Sequence, residues 1–292
     1  MRLKLLLLSM IGAVLLLAGF SSASFAADQP QFNKVYGQGD QVLRIATGSP
    51  GALGLLREMA MPFCAANNCQ IKWLKRGSGA SLKALQQGLV DVALVHAPQA
   101  EKQAVEEGWA TGRTLLGSNQ FYLVGPPSDP ANIRGAGSAS EAFQWIAKAE
   151  APFLSRADNS GTHKKEMHIW DLAGVTPKGE WYIKTHDFMG PTLMRADKTP
   201  GYFMTDSSTF LVKESRLKNL AILFKDDPIL INVYHGLMVH PAHNPKANDS
   251  LARKFLRHAG FGPGQKVYRT FGLERFNTPL YEDAFYAQQF EH

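Results

Sequence analysis

The strongest constraint in this sequence is an alternation. From Gln41 onward, short apolar runs alternate with longer segments of helical spacing, and turns rich in glycine, serine or threonine separate them. Val42-Leu43-Arg44-Ile45-Ala46 reads as a strand, and residues 52 to 65 carry the spacing of a helix. Ile71-Lys72-Trp73-Leu74 is a second strand. A helix opens at Gly77-Ser78-Gly79 and runs through Gln87, and Val92-Ala93-Leu94-Val95 forms a third strand. This β-α-β-α-β order predicts an α/β fold with a mainly parallel sheet covered on both faces.

The remaining chain reads as a second lobe and a return to the first. Phe121-Tyr122-Leu123-Val124 is a strand stopped by Gly125-Pro126-Pro127, and the stretch to Pro130 is taken as the first crossing between lobes. Beyond it come a helix from Ser140 to Ala149, a strand at Phe153-Leu154-Ser155, and helices beginning near Thr162, Thr192 and Ser208. Ile229 to Tyr234 is the expected return crossing, with strand Ile229-Leu230-Ile231-Asn232-Val233. Gly236-Leu237-Met238-Val239 then re-enters the first lobe, which a helix from Leu251 to Ala259 completes. The expected organisation is therefore a leader over 1–26, a first lobe of 27–125 plus 235–292, and a second lobe of 126–234. A length of 292 residues suits two moderate lobes. The tail aromatics Phe271, Phe276, Tyr281, Phe285, Tyr286 and Phe290 are too many for a solvated extension, and most are expected to pack. No internal repeat is visible.

Arg2 and Lys4 precede an apolar run from Leu5 to Phe20, and small residues follow, ending Ser24-Phe25-Ala26. That is the pattern of a cleaved signal peptide, and the run is short for a membrane span. No cysteine follows the run, so a lipid anchor is not expected. The mature protein is expected to be exported, soluble and monomeric, in a bacterial periplasm. Its formal charge of +6 includes two positive charges in the leader. Basic residues stand singly or in pairs such as Lys75-Arg76 and Lys164-Lys165, which is no track for nucleic acid. A mildly positive chain suits a small anion instead. Cys64 and Cys69, the two cysteines, lie where a helix stops before a strand. In an oxidising compartment they could form a disulfide across this small loop, stabilising the fold by about 2 kcal/mol through chain entropy; two free thiols are the alternative.

The chemistry concentrates in Ser155-Arg156-Ala157-Asp158-Asn159-Ser160-Gly161-Thr162, where a strand runs into a polar loop and then a helix. The first amides of a helix lack intrahelical partners, and its dipole places positive potential there. A small anion suits such a place, with Ser160 and Thr162 hydroxyls as donors and Arg156 as counter-charge. The plainer reading is an N-cap made by Asp158 or Ser160. The arrangement recurs at Thr47-Gly48-Ser49-Pro50-Gly51 and Gly77-Ser78-Gly79-Ala80-Ser81, and more weakly at Gly190-Pro191-Thr192. In an α/β sheet such loops lie at the carboxyl ends of strands, where ligands bind.

Other constellations are weaker. His163, Glu166 and His168 share a predicted helix, but His168 is about 140° round from His163, and solvated surface is the preferred reading over a metal site. His96 is read as a packed histidine rather than a crevice-lining one. His235, His240 and His243 lack metal spacing. The sequence has no G-x-S-x-G elbow, H-E-x-x-H or P-loop, and its paired glycines lack the third glycine of a dinucleotide fingerprint. No cofactor or metal is expected. A hydrolase pairing Ser160 with a histidine is a remote alternative.

The chain resembles the tungstate-binding components of bacterial ABC transporters from about Leu43 to Ala259. The resemblance is carried by Arg76-Gly77-Ser78-Gly79-Ala80, Asp91-Val92-Ala93-Leu94-Val95-His96-Ala97-Pro98, Val124-Gly125-Pro126 and Ala151-Pro152-Phe153-Leu154-Ser155-Arg156. It continues through Asp158-Asn159-Ser160-Gly161-Thr162-His163-Lys164-Lys165-Glu166, Gly179-Glu180-Trp181-Tyr182 and Met189-Gly190-Pro191-Thr192-Leu193. It implies a two-lobed type II periplasmic-binding-protein fold that closes on its ligand and delivers it to a permease in the inner membrane. It nominates Arg156, Ser160 and Thr162 in the second lobe and Ser78 in the first. The first loop departs from the family's run of threonines and a serine, keeping hydroxyls at Thr47 and Ser49. Ser207 stands where the family commonly has an arginine. The expected ligand is an oxyanion such as tungstate or molybdate; a small organic acid, or a component that reports its ligand to a sensor, are the alternatives.

Overall fold

The computed structural model describes residues 30–291; the expected leader lies outside them. The first lobe is built from β1 (Lys34–Gly37), β2 (Gln41–Thr47), α1 (Ser49–Leu53), α2 (Leu55–Asn67), β3 (Cys69–Lys75), α3 (Ser78–Gln86), β4 (Val92–Val95) and α4 (Pro98–Glu106). Strand β5 (Ala110–Gly125) leads to α5 (Ala139–Lys148), β6 (Phe153–Ser155), α6 (Gly161–Leu172), β7 (Tyr182–Lys184), α7 (Met189–Lys198), β8 (Tyr202–Asp206), α8 (Ser207–Lys213) and β9 (Ala221–Phe224). Strand β10 (Ile231–Val239) returns, followed by α9 (Asp249–Phe261), α10 (Gly264–Thr270), α11 (Leu273–Phe276), β11 (Glu282–Asp283) and α12 (Ala284–Ala287).

The strands follow the order β1-β3-β2-β4-β10-β5-β8-β6-β7. Each lobe holds a parallel trio, β3-β2-β4 in the first and β7-β6-β8 in the second. Antiparallel β10 and β5 join the two. Along the first lobe, side chains alternate between faces as a pleated strand requires. Leu43, Ile45, Ile71 and Trp73 pack in the layer that contains Leu55, Met59 and Phe63 of α2 and Phe255 of α9. Ala46, Leu74, Ala93 and Val95 enter the opposite layer with Leu82 and Leu85 of α3. The second lobe has its own core around Phe143, Phe153, Trp170 and Tyr202. At about 25 cal/mol per Å² of buried apolar area, these aromatic side chains dominate its stability.

Several boundaries differ from the sequence reading. The helix expected over 52–65 is split at Gly54, whose φ of 106° only glycine adopts comfortably, giving α1 and α2. Strand β5 is sixteen residues long and serves both lobes. It pairs with β10 through Gln120 and with β8 from Phe121, so the chain changes sheets there rather than at Gly125 to Pro130. Ile231 to Tyr234 pair with Gly117 to Gln120 on the first-lobe side, and the two expected return strands are one, β10. In the tail, Tyr281 is buried and Phe271 and Phe276 pack against the first-lobe core, but Phe285 is 88% exposed. Cys64 and Cys69 are buried thiols with their sulfurs 2.8 Å apart.

Candidate functional site

A cavity of about 270 Å³ lies between the lobes. Thr47, Ser49 and Ser78 line it from the first lobe and Arg156 from the second. Thr47 ends β2, and its buried Oγ1 has no hydrogen-bond partner among the described residues. A buried hydroxyl left unpaired costs free energy. Ser78 begins α3; its Oγ accepts from the His96 amide at 3.1 Å, leaving the hydroxyl proton free to donate. Helices α1, α3 and α7 all start at the cavity after Gly48, Gly77 and Phe188, none of which supplies a side-chain cap. Helices α6 and α8, by contrast, are capped by Ser160 and Asp206. The uncapped starts point positive potential at the same space, although in α1 Pro50 has no amide hydrogen and the Gly51 amide donates to the Gly48 carbonyl.

Arg156 is buried at the end of β6. Its Nη2 donates to Asp158 Oδ2 at 2.5 Å, its Nη1 to Thr162 Oγ1 at 3.3 Å, and its Nε to the Asp187 carbonyl at 3.2 Å. Asp158 Oδ1 also accepts from the Ser160 amide at 3.1 Å, so its carboxylate braces the loop, while the cap of α6 is Ser160. Ser160 and Thr162 are buried but are not among the residues lining the cavity. Thr162 supports the guanidinium, and Ser160 Oγ accepts from the His163 amide at 3.3 Å. His163 Nδ1 accepts from the Asn159 amide, so it is not the base of a serine hydrolase pair. The lobes touch across the cleft at glycines. A Cβ on Gly79 would lie 2.5 Å from the Asn159 carbonyl oxygen, and one on Gly161 would lie 2.5 Å from the His96 ring.

The structure adds residues the sequence reading missed. Lys75, Lys213, Phe188, Thr209 and His96 also line the cavity. Lys75 Nζ sits 4.3 Å from the Phe188 ring centroid, and Lys213 forms no ion pair among the described residues. Lys75 was visible as part of a basic pair; Lys213 gave no signal. His96 is not simply packed: its ring borders the cavity, and burial together with the Arg156 charge lowers its pKa to about 4. Behind the cavity, buried Asp206 accepts from Thr209 Oγ1 at 2.8 Å and lies 3.5 Å from Ser49 Oγ, a contact across the lobes. Burial raises its pKa. Glu166 is also not solvated surface. It is buried, accepts from Ser155, Tyr182 and Trp170, and burial pushes its pKa up to about 7.

The profile of the PBP superfamily domain matches residues 32–258. The chain belongs to the PBP superfamily. It is 31% identical over 279 residues to the tungstate-binding protein TupA of Peptoclostridium acidaminophilum, covering 94% of this chain and 97% of that protein. Among solved structures, the tungstate-binding protein TupA from Desulfovibrio alaskensis G20 is 37% identical with a TM-score of 0.70, over 84% of this chain and 99% of the other. The tungstate ABC transporter structure from Geobacter sulfurreducens is 35% identical with a TM-score of 0.71, over 79% and 98%. The resemblance read from the sequence motifs therefore holds as family membership, and the two-lobed α/β architecture is the family's. Two of these relatives are named as tungstate-binding proteins and the third as a tungstate ABC transporter.

Proposed function

We propose that this protein captures a small oxyanion of the tungstate or molybdate type between its lobes. It works as a monomer in the periplasm and hands its cargo to an ABC permease in the inner membrane. The observation that carries the reading is the buried hydroxyl of Thr47, which has no partner among the described residues and opens on the cavity that Arg156 and the uncapped starts of α1, α3 and α7 share. Neutral O–H and N–H donors replace the anion's water, and Arg156, Lys75 and Lys213 offset its charge. Ser160 and Thr162 act through Arg156 and the α6 start. The names of the relatives support the same ligand class.

The cavity also has apolar walls at Phe188, Met189 and Val212. Its volume of about 270 Å³ also leaves room for a guest larger than one tetrahedral anion. Those two facts favour a small organic acid as the second reading. A thermal-shift panel of tungstate, molybdate, sulfate, phosphate and small carboxylates tests both. A ligand at a hundred times its Kd stabilises the fold by about 2.7 kcal/mol. A response to tungstate or molybdate is expected; a response to a carboxylate alone would move the assignment, and silence across the panel would refute anion capture.

A further inference from the structure

The unassigned feature closest to the cavity is a line of buried amides through the junction of the lobes. It starts at an atom that can only accept, the Leu280 carbonyl, to which Ser208 Oγ donates at 2.8 Å. Ser208 must therefore accept from Asn119, whose Nδ2 lies 2.7 Å away. That orientation turns Asn119 Oδ1 toward Asn232 Nδ2, at 2.8 Å, directly across the β5–β10 pairing. Asn232 Oδ1 then faces His96 Nδ1 at 2.8 Å. Each link fixes the next, so Nδ1 of His96 carries a proton. In the neutral ring Nε2 is then a bare acceptor, and it makes no hydrogen bond among the described residues.

The surroundings make that acceptor unusual. The other groups on the cavity named above are donors or cations: Thr47, Ser78, Arg156, Lys75 and Lys213. Around the ring, Arg156 and Lys165 of the α6 region disfavour a second proton, and Glu101 of α4 favours it. Tyr234 of β10 and Phe121 of β5 face the ring with their aromatic surfaces, at centroid distances of 4.9 and 6.3 Å. A fully deprotonated dianion offers only lone pairs, and it cannot share a dry site with another bare lone pair without repulsion.

We infer that His96 takes a proton from solvent onto Nε2 when a dianion enters the cavity, becoming an imidazolium that donates to it. The residue thus sets ligand specificity and links capture to proton uptake. The imidazolium forms by addition of one solvent proton, and no other bond changes. This inference rests on the oxyanion reading above.

The test is calorimetric titration of the mature protein with tungstate near pH 6, repeated in two buffers of unequal ionisation enthalpy. Uptake of about half a proton or more per anion is expected, since binding that favours a protonated group must draw protons. The same titration of His96→Gln should show uptake near zero and weaker binding. Uptake that persists in that variant assigns the proton to Asp206 or Glu166 and overturns the inference. So does tungstate binding by the natural protein without buffer-dependent heat. Should His96→Gln not fold, imidazole nitrogen resonances of the ligand-free natural protein decide. An Nδ1–H tautomer is expected near pH 7, and an Nε2–H tautomer refutes the chain of donors. If neither tungstate nor molybdate binds at all, the oxyanion reading itself fails, an outcome distinct from binding without protons.

Discussion

Replacing Arg156 by glutamine is the sharpest test of how the cleft manages charge. The side chain is 4% exposed, and its guanidinium is held in place by Asp158, Thr162 and the Asp187 carbonyl before any ligand arrives. An anion meeting it spends little on ordering the arginine, so the contact retains most of its value. A hydrogen bond to a charged group contributes about 1.5–3 kcal/mol, and 1.4 kcal/mol is tenfold in affinity. Arg156→Gln should therefore weaken tungstate binding by about 10- to 150-fold, measured by calorimetry at fixed salt. The variant also leaves the Asp158 carboxylate without its cation. That side chain is 19% exposed, so the loss of stability should fall below the roughly 3–5 kcal/mol typical of breaking a fully buried pair. Adding Asp158→Asn, which keeps an acceptor for the Ser160 amide, should restore the ligand-free melting temperature without restoring affinity. An affinity within twofold of the natural protein would show that Arg156 only braces its own loop.

Three further outcomes can be checked. Gly161→Ala places a methyl 2.5 Å from a histidine ring that is itself held by Asn232, so it should wedge the lobes apart. Small-angle scattering should report a larger radius and calorimetry at least about tenfold weaker anion binding by the loss of aligned donors, whereas unchanged values would show that the lobes need not touch there. Glu166 has a folded pKa of about 7 against an ordinary 4.5, so the fold prefers its neutral form. Stability from this group is full below pH 4.5 and is lost as pH rises through 7, by up to about 3 kcal/mol at 1.36 kcal/mol per unit. Glu166→Gln should flatten the fall in melting temperature between pH 5 and 8, and an unaltered slope would assign it elsewhere. Protein recovered from an oxidising compartment should carry Cys64 and Cys69 joined, two hydrogens lighter by mass spectrometry, and reduction should cost about 2 kcal/mol of stability. Free thiols after export would count against that pairing.

Much of this architecture was legible because periodicity and turn chemistry agreed. Val92–Val95 and Phe153–Ser155 are strands with the boundaries read from sequence, and Thr47, Ser49, Ser78 and Arg156 meet at one cavity because each follows or ends a parallel strand. Strand β5 was legible only at Phe121–Val124. Its longer first part, Ala110 to Gln120, is interrupted by Gly112 and Gly117 and by several polar residues, so it lacks the apolar run that marks a buried strand. Lys213 reaches the cavity from the end of α8, and no local pattern relates that helix to β2. Glu166 defeated the helix-surface reading because its three donors come from β6, β7 and its own helix, and only the tertiary fold assembles them.

The strands that carry the chain between lobes have a mechanical consequence. Where β5 and β10 pass from one half to the other they are paired as a two-stranded ribbon, with Asn119 and Asn232 opposite one another. Such a ribbon resists stretching and shearing far more than it resists torsion. Opening of the molecule should thus be a swivel about one narrow axis, with the Asn pair lying on that axis and shifting little while the outer rims of the two halves travel farthest.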